Sequence, residues 1–367
     1  MTRFLISATA VLLAASCGGG SAGSTATATG ITTVSASDSA PGSSSSSSSN
    51  SSGSGGAEST SAAETSTSSA PPDLPGFDTL DPPKGCGKID LLFVVADSGI
   101  IDVPLLKQQA IEDAQRVRDA TNGFISVMQK QAVDYDLQVM VVKGDPSWEP
   151  VDANCCAPEK PCDNLAPYPG CSAIDDYTDC DGDLGVGITL PMGFMASNAR
   201  CELTGGHRYI TEEHEDFAGA FDCLVNVGRS GGVQQYAGAM VRAIGPALNG
   251  PDGCNAGFVR PDAMLVVVII ANSLDTKSSG SHEGWAASLV AAKAGNAAGI
   301  VVVGLLQTYD PFDSEDCWDD PKSEVRRLVE GFPTHVLGSY CAPDLGQYLG
   351  EAVSVIDAAC AEFVPPG

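Results

Sequence analysis

AMLVVVIIA (residues 263–271) is an unbroken apolar run dominated by β-branched side chains. Alternation of polar and apolar residues would mark a strand with one wet face. A continuous run of this length marks a strand buried on both faces, as in a parallel sheet covered by helices on either side. The signal repeats on both sides of it. IDLLFVV (residues 89–95), YDLQVMVV (residues 135–142) and IVVVGLL (residues 300–306) read as further strands, and residues 334–337 as a short edge strand.

Between these runs the apolar spacing changes from two to three and four. In residues 104–132, Leu105, Leu106, Ala110, Val117, Phe124, Ile125 and Met128 form a helical stripe. Helical patterns return at residues 212–227, 232–248, 285–294, 322–330 and 345–360. Buried strands alternating with helices predict an α/β fold, a doubly wound and mainly parallel sheet. It is expected over residues 86–363. Residues 146–208 interrupt the rhythm with Cys, Pro, Gly and Asp, and read as a disulfide-stapled insertion.

The chain has 13 cysteines among 367 residues, far more than a reducing compartment sustains. With Cys17 set aside, an even set remains: Cys86, Cys155, Cys156, Cys162, Cys171, Cys180, Cys201, Cys223, Cys254, Cys317, Cys341 and Cys360. These are expected to form disulfides, although their pairing has on the order of 10⁴ solutions. The spacings contain no paired C-x₂-C knuckles, which favours disulfides over zinc. The net charge of −27, from 46 acidic and 19 basic residues, repels phosphate backbones and excludes nucleic acid as a partner.

The first residues read as an address. Arg3 precedes an apolar stretch, residues 4–15, too short to span a bilayer and typical of an export signal. Leu13-Ala14-Ala15-Ser16-Cys17 resembles a bacterial lipobox, with its Leu one place early. The resemblance implies that residues 1–16 are removed and that Cys17 carries lipid, palmitate included. Gly18 after the Cys implies a site in the bacterial cell envelope, at the outer membrane or cell surface. Residues 17–85 are mostly Gly, Ser, Thr and Ala, so they cannot bury enough apolar area to offset the entropy of ordering. They are expected to form a disordered tether with a root-mean-square reach of about 45 Å.

Asp90-Leu-Leu-Phe-Val-Val-Ala-Asp-Ser-Gly99 resembles the first strand and loop of a von Willebrand factor A (VWA) domain. In that family such a strand runs into D-x-S-x-S, which supplies three ligands of a divalent-metal adhesion site. The order of elements and Pro261-Asp262-Ala263 before the central strand extend the resemblance over residues 86–363. The ligand set is degenerate. Ala96 stands for the first Asp, Ser98 is kept, Ile100 replaces the second Ser, Arg229 the Thr and Asn272 the last Asp. A hard dication needs anionic oxygen donors, and most of them are gone. The resemblance therefore implies a metal-free module, with no cofactor, that binds a protein or glycan and is not an enzyme. The alternative it leaves open is an adhesin holding Mg²⁺ or Ca²⁺ through displaced carboxylates such as Asp97, Asp102 or Asp275.

Two further constellations carry lesser expectations. Asp179, Asp181 and Asp183 give a D-x-D-x-D spacing suited to weak calcium binding, but Leu184 and Leu190 occupy the places where an EF-hand has Gly and Glu. Ser98 at a strand end suggests a hydrolase nucleophile, but no G-x-S-x-G elbow supports it in the folded part.

Overall fold

The computed structural model describes residues 85–96, 104–131, 135–144, 178–191, 196, 199–228, 234–307 and 320–366. Outside them lie residues 1–84, with the expected export signal, Cys17 and nearly all of the expected tether. So do Asp97, Ser98, Ile100, Asp102, Arg229, Cys155, Cys156, Cys162, Cys171 and Cys317.

Five parallel strands form one sheet: β1 (Lys88–Val95), β2 (Asp136–Lys143), β3 (Met264–Ala271), β4 (Ile300–Leu306) and β5 (His335–Ser339). Their order is β2-β1-β3-β4-β5. Every residue of β3 and β4 is buried, as a strand covered on both faces requires. The side chains divide by parity. Ile89, Leu91 and Phe93 point into one apolar layer, Leu92 and Val94 into the other.

Helices cover both layers. The first packs under α1 (Pro104–Gln131), α2 (Phe217–Val225) and α7 (Gly346–Glu362). The second packs under α3 (Tyr236–Ile244), α5 (His282–Ala292) and α6 (Glu324–Glu330), with the short α4 (Pro246–Asn249) following α3. Among the described residues no helix is long and apolar enough to cross a membrane.

Three helices differ from their sequence reading. The one expected over residues 212–227 starts at Phe217, because Asp216 accepts the Gly219 N–H and caps it. The one expected over residues 232–248 is two helices. Gly245 is extended between them, and Pro246, lacking an N–H, takes the first position of α4. The one expected over residues 285–294 starts three residues earlier, at His282.

The described part of the insertion covers the outer edge of β2. Ile188 N–H donates to the Val141 carbonyl at 2.8 Å, and Val139 and Ile210 form an antiparallel bridge. An open edge strand invites pairing with other chains, and this one is occupied from within. Among its described cysteines two staples reach outward: Cys180 bonds Cys254, and Cys201 bonds Cys223 of α2. A third disulfide, Cys86–Cys360, ties the entry of β1 to α7, and Cys341 is also disulfide-bonded.

The N-terminal edge of the sheet holds a buried ionic cluster that the apolar pattern hides. Asp90, within the apolar run of β1, is fully buried. It accepts the Arg260 backbone N–H and Nε, both at 2.7 Å. The Arg260 guanidinium also reaches the carbonyls of Ile89 and Asp136 and, at 2.6 Å, the Asp136 carboxylate. Lys293 is 1% exposed and donates to the Arg260 carbonyl. Burial pushes the Asp90 carboxyl up to about 6 against the pull of Arg260 and Lys293, and pushes the Lys293 ammonium down. Both charges are thus held at a desolvation cost.

Candidate functional site

The strand order locates the site. After β1 the chain turns outward to β2, then crosses to β3 on the other side. The crevice of such a sheet therefore lies between the C-terminal ends of β1 and β3. Four described segments meet there: the end of β1, Gly144 after β2, the start of α3, and the loop after β3.

Ala96 follows β1 at 3% exposure, and its N–H donates to the Ile270 carbonyl at 2.8 Å. The side chain at this end of the crevice is therefore a methyl group, with no ligand atom to offer. Gly144 packs against α3 so closely that a Cβ would stand 2.5 Å from the Tyr236 ring, so only glycine fits. Tyr236 is fully buried, and its hydroxyl lies 3.3 Å from Asn272 Oδ1 and 3.0 Å from Ser273 Oγ. Asn272 is thus engaged with a neutral partner.

Asp275 is engaged too, by backbone. Its Oδ2 accepts the Ala237 N–H at 2.8 Å and the Ser278 hydroxyl at 2.7 Å, while its Oδ1 accepts the Ser278 N–H at 3.0 Å. Ser278 Oγ in turn accepts the Gly238 N–H. Together they satisfy the first free N–H groups of α3, where the helix dipole favours a negative charge. A metal drawing on Asp275 would have to unmake this cap.

The three aspartates of the proposed calcium loop separate. Asp179 and Asp183 are exposed, but the Asp181 side chain is wholly buried between two arginines. Arg200 Nη2 lies 3.0 Å from Oδ2 and Arg208 Nη2 2.5 Å from Oδ1, while the Thr178 N–H and hydroxyl also donate to Oδ2. Burial opposes ionisation of Asp181, but the hydrogen bonds from Arg200 and Arg208 outweigh it and hold the carboxyl far below the usual range. A calcium ion would have to displace two guanidinium groups.

Among the described residues, one group brings three ligand-type side chains within 4.8 Å: His282, Glu283 and Glu324. Ordinary hydrogen bonding accounts for it. His282 Nδ1 lies 2.7 Å from Glu324 Oε2, which also accepts the His282 N–H at 3.1 Å. These residues start α5 and α6, where helix dipoles suit carboxylates and repel cations. The contact joins residues 42 apart, so no local motif announces it.

Sequence reading missed the Asp90–Arg260–Lys293 cluster altogether. The available signal was a lone aspartate inside a run otherwise fit for a doubly buried strand, since an unpaired charge there is prohibitive. Neither a family model nor a curated protein matches the chain.

Proposed function

We propose that the chain is a cell-surface lipoprotein, anchored through Cys17 in a bacterial envelope, that presents a metal-free VWA-like module for protein or glycan binding. Support for the VWA-like assignment comes from the all-parallel sheet and from Asp90-Leu-Leu-Phe-Val-Val leading to the switch-point edge. One observation carries the metal-free reading. Asp275, the carboxylate in the loop after β3, has both oxygens committed to the N-terminus of α3 and to Ser278. Beside it, Ala96 and Asn272 offer a methyl and an amide.

Thermal unfolding of the full chain in EDTA, Mg²⁺, Mn²⁺ and Ca²⁺ tests this. A cation binding only the folded state at a hundredfold excess over its dissociation constant would add about 2.7 kcal/mol. An unchanged midpoint is expected. A rise with Mg²⁺ or Mn²⁺ would replace this reading by an adhesin that uses Asp97 or Asp102. The anchor is tested separately: Cys17→Ser should abolish palmitate labelling and release the protein from the membrane fraction. Persistent labelling would refute it.

A further inference from the structure

A groove lies away from the switch-point edge, between α1 and α7. It encloses about 900 Å³, within the range of occupied binding sites. Its floor is apolar: Ile111, Ala120, Phe124 and Val127 from one helix, Leu349 and Val353 from the other. Val127, at 41% exposure, is one of only two large apolar side chains left open to solvent among the described residues. The depth comes from Gly123 and Gly350, where an added Cβ would meet nothing within 4 Å. Glycine within a helix costs about 1 kcal/mol relative to alanine, and neither position needs it for backbone or close packing. What these glycines provide is open space.

The rim is acidic. Glu112, Asp119 and Asp344 line it, and each is hydrogen-bonded to an uncharged donor: Gln108, Gln115 and the Gly346 N–H respectively. The one lining cation, Arg116, is engaged elsewhere. Its guanidinium holds the Tyr340 and Ala342 carbonyls and Asp113, and lies 5.0 Å over the Tyr340 ring. An apolar floor between two helices, bordered by carboxylates that form no salt bridge among the described residues, complements an apolar ridge flanked by positive charge.

We infer that the α1–α7 groove docks a cationic amphipathic segment of a partner protein, apolar side chains on the floor and Lys or Arg against the acidic rim. This does not rest on the VWA reading. In the segment that precedes the described residues, the bulky apolar side chains Leu74, Phe77 and Leu80 are interspersed with Asp73, Asp78 and Asp81. Those charges would face a rim of their own sign, so a foreign segment is the better match.

The test uses the full chain and a synthetic helical peptide of about 15 residues, with Leu at i, i+3, i+4 and i+7 and flanking Lys. The controls are its Glu-flanked counterpart and a scrambled Lys peptide, all read by fluorescence anisotropy. The Lys-flanked helix should bind at least about tenfold tighter than either control. Gly123→Leu and Gly350→Leu project apolar side chains from positions where a Cβ meets nothing within 4 Å. They should weaken that binding about tenfold or more while holding or raising the unfolding midpoint, and salt should weaken it further. No binding, equal binding of the scrambled peptide, or undiminished binding by the filled variants would overturn the proposal, since only diffuse attraction to an acidic protein would remain. Tighter peptide binding by the triple variant L74S/F77S/L80S would overturn it differently, by showing that the chain's own segment occupies the groove.

Discussion

The two edges of the sheet compensate an aspartate by different means. At the N-terminal edge Asp90 and Lys293 are buried as charges, gathered by Arg260 around the first turns of β1 and β2. At the C-terminal edge Lys143 is buried at the end of β2 near the neutral Ala96 and Tyr236, and the carboxylate of Asp275 is spread over the N–H groups of a helix start. The edge where a family resemblance looks for charge has little to spare. The edge that looks like plain core buries a carboxylate between two cations, Arg260 and Lys293. What separates them is the source of compensation. Arg260 cancels an ion with an ion at high desolvation cost, whereas α3 cancels one with dipoles it must satisfy anyway.

Breaking the costly edge should have the largest effect. Arg260→Met leaves Asp90 buried without its hydrogen-bonded counter-ion, with only Lys293 at 3.9 Å, and should lower stability by about 3–5 kcal/mol in chemical denaturation. Replacing Asp90, Arg260 and Lys293 together by apolar residues of similar volume should recover most of that loss, because the desolvation penalty goes with the charges. If the triple variant were as unstable as the single one, the cluster would be positioning something beyond its own ions.

Asp181 sharpens the contrast, being an ionic anchor within the insertion. Asp181→Asn should cost about 2–3 kcal/mol, the range for a hydrogen bond to a charged group. Its pH dependence has a definite sign. The folded-state pKa is depressed, so its contribution is complete above the ordinary value of 3.8 and drains away as pH falls below it. Acid titration of stability should therefore steepen below about pH 4 in the parent chain and flatten in Asp181→Asn.

The inexpensive edge should respond less. Asp275→Ala removes a helix cap and should cost about 1–2 kcal/mol, read as a lower denaturation midpoint, while leaving the response to Mg²⁺ and Mn²⁺ unchanged. The smallest effect is expected from Asn272→Asp. The Tyr236 hydroxyl can donate to a carboxylate as it can to an amide oxygen, so stability should move by less than about 1 kcal/mol. A Mg²⁺-dependent rise in that variant alone would show the edge to be a single carboxylate short of a metal site.

Sequence resolved what depends on neighbours along the chain. β3 and β4 were legible because burial on both faces leaves an unbroken apolar run, and β4 matches its reading residue for residue. Helix ends were less so. The acidic stretch before Phe217 continues a helical pattern that the Asp216 cap cuts short, and the break at Gly245–Pro246 divides one apparent stripe. Ala96 and Asn272 were placed at the crevice edge, but the use of Asp275 as a cap depends on α3, 38 residues away. Arg260 meets Asp90 across 170 residues, a separation at which no periodicity carries information. The disulfides obey the same limit. An even cysteine count foretold them, but not that Cys180 and Cys201 would reach out of the insertion to Cys254 and Cys223.

The Cys86–Cys360 bond has a mechanical consequence. It welds the entrance of the first strand to the last helix, and the Gly85 N–H bonds the Phe363 carbonyl beside it. A strand pulled from its end normally unzips one hydrogen bond at a time. Here tension arriving along the chain before Cys86 is shared at once between β1 and α7, on the same face of the sheet. Peeling β1 away would require dragging α7 with it, so the weld works as a strain relief, like the clamp where a cable enters its housing.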